Sequence, residues 1–280
     1  MNILKKNTSR IVFKLKNISY IILGPKMYDY LRLLNRIRKL YFKLPDFNDE
    51  TIAFHKKLIN DDSIILDIGS NRGFFTYHYS KMAKNGFIYS FEPIPGTIEL
   101  QKKLLKFFHI KNYKAFNLAL SDKVGFIDML LPKNGHFPED LCATINTENV
   151  AKSFANFEII NTASDTLNNI ISKEKLERID FIKMDVEGAE FLVLKGAEKA
   201  LSLRPILFME MIDRHFKKFG YQKEDIITFL KNLNFEPMYY DAGKSLLIPF
   251  EFDGLGNEAL DVYFIPEEKI SKLGLQKIIV

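Results

Sequence analysis

The chain has 280 residues, of which 47% are hydrophobic and 27% charged, so it can bury a large core and is not an intrinsically disordered segment. A single cysteine, Cys142, excludes an internal disulfide, and cysteine and histidine do not cluster with zinc-ligand spacing. The net charge of +5 is divided unevenly, because residues 1–44 carry eleven Lys and Arg against one Asp, a net charge of +10, which leaves −5 for the remainder.

The first 44 residues form a basic arm whose apolar runs are too short and too charged to span a membrane, which takes about 20 apolar residues. No small-residue cleavage site marks the arm as a signal peptide. Gly24 and Pro25 break it, and a helical period follows from Met27 to Phe42. Such a helix suits either an anionic membrane surface or docking on the core or on a second copy in a homo-oligomer. The expected location is cytoplasmic, with attachment to the inner face of the membrane left open.

One domain is predicted over residues 45–280, where short apolar strands alternate with amphipathic helices. The first elements are strand Ile64–Ile68, helix Phe74–Ala83, strand Phe87–Phe91, helix Thr97–Phe108 and strand Tyr113–Leu118. This order predicts an α/β fold with a parallel sheet covered by helices. Ligands of such sheets bind outside the carboxyl ends of the strands, which here carry Asp67, Glu92 and Asp122.

The turn after the first strand has the residues of a ligand-binding loop. Gly69 and Gly73 let the backbone approach a ligand closely, and the helix that follows offers free N–H groups. The dinucleotide fingerprint G-x-G-x-x-G fails, because Asn71 and Phe74 occupy its second and third glycine positions. An acid closing the strand, Asp67, suits an amino-acid-bearing nucleoside such as S-adenosylmethionine, whose ammonium needs a carboxylate nearby. The alternative is a plain strand-turn-helix connection.

Residues 123–163 interrupt the alternation. Gly125–Leu131 and Phe157–Thr162 are predicted as strands, and the polar, irregular segment Pro132–Val150 lies between them. This insertion is expected near the site, as a lid or substrate loop. His136 within it is a candidate base, although a lone loop histidine is more often merely solvated.

The second half repeats the pattern of strands that end in acids. A buried strand from Ile179 ends at Asp185, with Glu187 and Glu190 just beyond, and a helix is predicted over about Phe191–Leu201. The remaining predictions are a strand over Ile206–Met209 that ends at Glu210, a helix over Lys223–Leu233, and paired strands over Glu236–Tyr240 and Ala259–Ile265.

Several blocks together resemble the FkbM-like family of class I S-adenosylmethionine-dependent methyltransferases. They are Asp67-Ile68-Gly69-Ser70-Asn71-Arg72-Gly73, Phe91-Glu92-Pro93, Ala119-Leu120-Ser121-Asp122, Lys183-Met184-Asp185-Val186-Glu187-Gly188-Ala189-Glu190, Leu194-Lys195-Gly196-Ala197 and Arg204-Pro205. The resemblance covers about residues 50–265 and implies a doubly wound, mostly parallel sheet of seven strands. The arm lies outside it, and Ser164 stands where the family more often has leucine.

The resemblance also implies where the cofactor S-adenosylmethionine binds. Its methionine half is expected beside the first turn, its ribose hydroxyls on Glu92, and its adenine between apolar walls, with Asp122 accepting from the exocyclic amine. The full set of expected cofactor-binding residues is Asp67, Gly69, Ser70, Asn71, Gly73, Phe74, Glu92, Pro93, Ala119, Leu120, Asp122 and Asp185. A carboxylate suits the ribose because its two oxygens match a vicinal diol.

Three acids are the predicted catalytic residues, because methylation of a hydroxyl requires removal of its proton. Asp185 is the first candidate for the base, and Glu187 and Glu210 follow. A divalent metal held by these acids is the less favoured alternative. Glu190 has a simpler explanation, since an acid in the first turn of a helix is favoured by the helix dipole.

The predicted function is therefore O-methylation of a sugar, glycan or glycolipid precursor, an acceptor class that comes from the family alone. Methylation of a nucleic acid or of another small molecule is an alternative. The motifs that nucleic-acid enzymes use, Asn/Asp-Pro-Pro-Tyr/Phe and Pro-Cys, are absent, so a nucleic-acid partner is not favoured. A non-catalytic module that binds a membrane surface is the third possibility.

Overall fold

A computed structural model describes residues 2–46, 48–134, 137–138, 142–241, 246–250 and 260–270. Its main sheet has eight strands. In spatial order they are β12 (Leu246–Pro249), β11 (Phe235–Asp241), β13 (Leu260–Pro266), β10 (Ile206–Met211), β9 (Phe181–Met184), β1 (Ile64–Ile68), β2 (Phe87–Phe91) and β3 (Tyr113–Phe116). The prediction of seven strands is wrong by one, because the short edge strand β12 pairs with the outer side of β11.

The sheet is mostly parallel, as predicted. Neighbours from β10 to β3 run parallel, whereas β13 is antiparallel to both β10 and β11. The register places Asp67 of β1 beside Lys183 of β9 and Ile68 beside Met184. Three strands therefore end together at one edge, and their last side chains meet there.

Helices cover both faces of this sheet, which confirms the doubly wound architecture. They are α1 (Asn2–Tyr41), α2 (Asp49–Leu58), α3 (Phe74–Met82), α4 (Pro95–Phe107), α5 (Glu148–Lys152), α6 (Leu167–Glu174), α7 (Glu190–Lys195), α8 (Glu198–Ser202), α9 (Asp213–Phe216), α10 (Lys223–Lys231) and α11 (Glu267–Ile270). Leu66 and Ile182 point into one core, and Ile65 and Phe181 into the other. This is the side-chain alternation that a buried strand imposes.

The single helix predicted over about Phe191–Leu201 is wrong, because α7 and α8 are separate and meet near Gly196. A Cβ at Gly196 would collide with the backbone carbonyl of Ser121, and the carbonyl of Gly196 accepts from the Asn168 N–H at 2.8 Å. The chain thus leaves the helical path to pack against neighbouring backbone.

The insertion forms a second sheet. Its strands are β4 (Ala119–Leu120), β5 (Gly125–Asn134), β6 (Phe137–Pro138), β7 (Thr144–Ile145) and β8 (Phe157–Asp165). β5 and β8 pair antiparallel from Gly125 opposite Ser164 to Pro132 opposite Phe157. The third strand of the main sheet consequently ends at Phe116 rather than Leu118, because the chain turns into the second sheet. His136 lies outside the described residues.

The basic arm is helical from Asn2 to Tyr41, although a helix was predicted only from Met27 to Phe42, and it breaks at Gly24, whose backbone has φ 73° and ψ 162°. Leu33 is buried against Leu100 and Leu104 of α4, so the second half of α1 packs on the domain. Within the described ranges, no helix is long and apolar enough to cross a membrane.

Candidate active site

A cavity of about 210 Å³ opens at the carboxyl ends of β1, β2 and β9. Its wall includes ten of the residues predicted from the sequence. They are Gly69, Ser70, Asn71, Phe74, Glu92, Pro93, Ala119, Leu120, Asp185 and Glu187. The insertion adds Met129, Ala143 and Ile145, and the arm adds Arg36. The cavity is thus built from the sheet edge, the second sheet and α1 together.

The turn after β1 is folded tightly against its neighbours. Gly69 has φ 72°, and a Cβ there would collide with the carbonyl of Asp185. The N–H groups of Gly69 and Ser70 both donate to the carbonyl of Phe91, at 3.0 and 2.9 Å. Gly73 has φ 79° and directly precedes α3 as its N-cap, but it lies behind the cavity wall, against Gln101. Only glycine fits position 69, because both its backbone angles and its surroundings exclude a side chain.

Glu92 stands at the end of β2 with only 5% of its surface exposed. Its Oε2 accepts from the Asn71 N–H at 3.0 Å, and its Oε1 accepts from the Ile94 N–H at 2.9 Å. Two backbone donors from different turns therefore fix both carboxylate oxygens at the cavity wall. Such preorganisation is what a residue that recognises a ligand requires.

Lys183, a buried residue of β9, links this strand to the end of the neighbouring strand β1. Lys183 Nζ donates to the Gly69 carbonyl at 2.8 Å and lies 3.3 Å from Asp185 Oδ2 and 3.8 Å from Asp67 Oδ1. Burial alone would lower the pKa of Lys183, but the two carboxylates outweigh it and raise the pKa. Burial raises the pKa of Asp67, against the opposing effects of Lys183 and of the Thr76 hydroxyl, which donates to Oδ2 at 2.6 Å.

The turn that follows β9 is held by three side chains, from β7, from α7 and from the loop before α10. Thr144 of β7 donates to the Glu187 carbonyl at 2.9 Å, and the Tyr221 hydroxyl donates to the Gly188 carbonyl. Glu190 Oε1 accepts from the Val186 N–H at 3.1 Å. Glu187 is thereby kept at φ 55°, a left-handed conformation that is uncommon for a residue other than glycine. Glu187 lines the cavity, and its carboxyl Oε2 lies 3.3 Å from His215 Nδ1.

Several carboxyl groups lie close together around this turn, and burial together with neighbouring carboxyl groups raises the pKa of three of them. Burial, followed by Asp185, Glu210 and Glu190, raises the pKa of Glu187 to about 8. Burial raises the pKa of Glu190 to about 7, and burial with Asp185 raises that of Glu210 to about 7. Among the residues that the structure describes, no group of three or more His, Cys, Asp or Glu side chains could hold a metal ion.

A family model described as the methyltransferase FkbM domain matches residues 67–237 of this chain. The chain belongs to the FkbM methyltransferase family. It is accordingly an S-adenosylmethionine-dependent methyltransferase, as the resemblance implied.

Individual relatives are distant. The 2-O-methyltransferase NoeI of Sinorhizobium fredii is 27% identical over 175 residues, which cover 59% of this chain and 71% of NoeI. Methyltransferase 1 of Beauveria bassiana is 25% identical over 148 residues, covering 49% of this chain and 59% of that protein. The crystal structure of methyltransferase FkbM from Methylobacillus flagellatus has a TM-score of 0.45 at 13% identity, covering 84% of this chain and 60% of that one. This chain thus spans less than two thirds of the latter two.

The cavity of this FkbM domain fits the cofactor. Glu92 presents a fixed carboxylate, which suits a ribose diol, and the first turn of α3 at Phe74 offers N–H groups to a carboxylate. Asp185 supplies a carboxylate that suits the positively charged sulfonium, and Leu120 and Met129 supply an apolar wall. The cavity therefore contains each kind of group that binding of S-adenosylmethionine requires.

Four predicted site residues lie away from the cavity wall. Asp67 is fully buried beneath it, held by Lys183 and Thr76, and Gly73 lies behind it. Asp122 follows β4 of the second sheet and accepts from the Ser121 hydroxyl at 3.0 Å, so it does not end a strand of the main sheet. Glu210 lies inside β10, opposite Asp261 of β13, rather than at the strand's end.

Sequence reasoning missed Lys183, His215 and the arm's contribution, Arg36. A signal existed for Lys183, since a lone lysine within a buried apolar strand needs buried anionic partners. No signal existed for His215, because only the fold brings it to Glu187. Arg36 Nη1 bonds Asp46 Oδ2 at 3.0 Å and its guanidinium lies 4.9 Å from the ring centre of Phe74, contacts that depend on how α1 docks.

Proposed function

We propose that this protein transfers a methyl group from S-adenosylmethionine to a hydroxyl oxygen of a sugar, glycan or glycolipid precursor. The observation that carries the proposal is that Glu187, an acid, lines the cavity in a turn held by Thr144 and Tyr221. NoeI, named a 2-O-methyltransferase, supports oxygen as the acceptor atom.

The chemistry divides simply between cofactor and protein. Bound S-adenosylmethionine supplies a methyl group on a sulfonium, whose leaving group is a neutral thioether. The protein's residues must hold the acceptor in line and accept its proton, a contribution of roughly 10²–10⁴ in rate. Glu92 and the first turn of α3 would fix the cofactor, which leaves the acids after β9 for the acceptor.

Among the three predicted catalytic acids, Glu187 is the favoured base. Asp185 also lines the cavity, but its carboxylate forms an ion pair with Lys183 at 3.3 Å. Glu210 faces Asp261 within the sheet and lies away from the wall. Glu187 lines the cavity and has a pKa raised to about 8, which suits proton transfer near neutral pH.

The test is release of S-adenosylhomocysteine in the presence of methyl glycosides, nucleotide-linked sugars and total cellular glycolipid. The proposal predicts turnover with at least one sugar hydroxyl, reduced about 100-fold or more by Glu187→Gln. Glu198→Gln, an exposed acid at the start of α8, should leave turnover unchanged. Turnover only with an amine, a carbon acid or RNA would overturn the proposal.

The arm supports a second part of the proposal, attachment to an anionic bilayer. Five exposed side chains recur on one face of α1 with helical spacing. They are Met27, Tyr30, Leu31, Leu34 and Tyr41, between 41% and 65% exposed. Tyr28 and Leu33 point the other way and are buried. Because the arm carries a net charge of +10, an anionic lipid surface is the occupant that matches both its apolar stripe and its charge.

Vesicle flotation tests this attachment. The protein should float with vesicles containing phosphatidylglycerol, but not with phosphatidylcholine alone, and high salt should weaken the binding. The triple variant Tyr30→Gln/Leu31→Gln/Leu34→Gln should remain in solution. Phe126 is an apolar side chain of the second sheet that is 74% exposed, so the control variant Phe126→Gln should float with the vesicles as the original protein does. Loss of a dimer in the triple variant, with no flotation of the original protein, would instead assign this face to a second copy.

A further inference from the structure

The basic arm contributes one cationic side chain, Arg36 of α1, to the wall of the cavity. Its guanidinium lies 4.9 Å from the ring centre of Phe74, the first residue of α3. The cation therefore stands beside the helix N-terminus that suits the carboxylate of the cofactor's methionine half. Residue 36 lies outside the segment 67–237 that the family model matches, so this contact is a feature of the arm.

Packing of α1 on the domain holds Arg36 in this place. Three apolar side chains on either side of it in the sequence pack against the cluster formed with α4, and they are Leu33, Ile37 and Leu40. The electron-rich face of the Phe74 ring attracts the guanidinium, and Asp46 Oδ2 accepts from Nη1 at 3.0 Å. The guanidinium is therefore positioned at the cavity wall before a ligand binds.

The charges around Arg36 allow it to bind a second anion. Asp46 Oδ2 accepts from Lys39 Nζ at 3.2 Å as well as from Arg36, so one carboxylate balances two cations. Asp49 is exposed and accepts from the Asp46 N–H at 2.8 Å. A guanidinium has five N–H groups, and within the part of the chain that the structure describes Asp46 is the one hydrogen-bond acceptor of Arg36. Its side chain is 31% exposed, so its other donors can reach a ligand.

We propose that Arg36 donates hydrogen bonds to the carboxylate of the methionine half of S-adenosylmethionine, to which N–H groups in the first turn of α3 also donate. A guanidinium suits this task because its planar fork matches the two oxygens of a carboxylate. Arg36 contacts Phe74 in the helix that follows β1, whereas the acids proposed for the acceptor follow β9. Because the methyl donor is the same for every acceptor, this contact does not rest on the proposed O-methylation.

Such a contact makes the docked arm part of the donor site. Since Arg36 reaches the cavity only while α1 packs on α4, a bound carboxylate gains a partner that the undocked arm cannot supply. Donor binding and arm docking must then stabilise each other by the same factor, because the coupling between two binding equilibria is reciprocal. A ligand that lacks the carboxylate has no such effect.

Calorimetric titration with two ligands isolates the carboxylate. S-adenosylhomocysteine carries this group, and decarboxylated S-adenosylhomocysteine is the same molecule without it. Arg36→Gln should weaken S-adenosylhomocysteine about tenfold, the low end for hydrogen bonds to a charged group because Arg36 is partly exposed. The variant should bind the decarboxylated ligand as the original protein does. Arg38→Gln removes the same charge from an exposed position of α1, where the side chain bonds Asn35, and should leave both affinities unchanged.

Two results of these titrations would overturn the proposal. An equal loss for both ligands in Arg36→Gln would show that Arg36 only supports the structure of the cavity. Unchanged affinity for S-adenosylhomocysteine would show that the carboxylate does not meet Arg36. Neither titration contains an acceptor, so failure of this contact and failure of the proposed O-methylation are separate observations.

Hydrogen exchange of the original protein tests the same contact without a substitution. At equal saturation, S-adenosylhomocysteine should slow exchange of the backbone amides of residues 27–41 more than the decarboxylated ligand does, because only the former holds the arm through Arg36. In Arg36→Gln this difference between the two ligands should disappear. Equal protection of residues 27–41 by both ligands in the original protein would contradict the proposal.

Discussion

Replacing Lys183 with methionine should lower the free energy of unfolding, because it removes the buried cation beside two carboxylates of the site. The change removes the hydrogen bond from Nζ to the Gly69 carbonyl and the ion pairs with Asp67 and Asp185. Asp67 is fully buried, so without Lys183 the folded variant must hold it as a neutral acid. The unfolded chain has no such requirement and ionises Asp67 freely.

The size of the effect follows from this difference. Keeping a carboxyl group of ordinary pKa ~3.9 protonated at pH 7 costs about 4 kcal/mol, which is an upper bound for the variant because the pKa of Asp67 is already raised in the original protein. This agrees with the roughly 3–5 kcal/mol seen when one partner of a buried ion pair is removed. The pKa of Asp67 is then higher in the folded state than in the unfolded one. The free energy of unfolding of the variant therefore falls as the pH rises, by about 1.4 kcal/mol per unit above pH 4.

Urea denaturation followed by circular dichroism at 222 nm, at pH 5 and pH 7, measures this. Lys183→Met should lose about 3–4 kcal/mol at pH 7 and about 1–2 kcal/mol at pH 5. Adding Asp67→Asn should recover most of the loss at pH 7. Lys114→Met, which removes an exposed pair with Glu174, should cost at most about 1 kcal/mol. A loss that ignores pH, or that Asp67→Asn fails to recover, would refute a charged Lys183–Asp67 pair.

Other changes test the two turns. Gly69→Ala should destabilise the protein by roughly 2–4 kcal/mol, from left-handed strain and collision with Asp185, and should abolish cofactor binding measured by calorimetry. Gly96→Ala in α4, where a Cβ meets nothing within 4 Å, should be neutral or stabilising in the same urea assay. Thr144→Val should cost about 1 kcal/mol and lower the turnover number while leaving S-adenosylhomocysteine affinity unchanged, since it frees only the Glu187 carbonyl.

Local patterns were sufficient to predict the parts of the site that are contiguous in sequence. The run from Ile64 to Phe74 gives β1, its glycine turn and the start of α3, because apolar length and glycine spacing are local properties. Glu92 follows the same logic at the end of β2. In each case the physical cause, a buried strand ending in a turn, lies within about ten residues.

Contacts between segments that are far apart in the sequence could not be predicted from local patterns. Asp122 was expected at the edge of the main sheet, but pairing of β4 with β8 takes it into the second sheet. Asp67 was expected beside the cofactor, whereas its register opposite Lys183 places its side chain beneath the cavity. His215 reaches Glu187 only because β10 lies beside β9, a neighbour relation that no local pattern encodes.

The most direct measurement of the central account is calorimetric titration of S-adenosylhomocysteine into the original protein, Glu92→Gln and Glu99→Gln. Hydrogen bonds to a charged group are each worth about 1.5–3 kcal/mol, so loss of the Glu92 charge should weaken binding by roughly 10- to 100-fold. Glu99 is exposed on α4 and should bind as the original does. Tight binding that survives Glu92→Gln unchanged would contradict a cofactor site at the carboxyl ends of β1, β2 and β9.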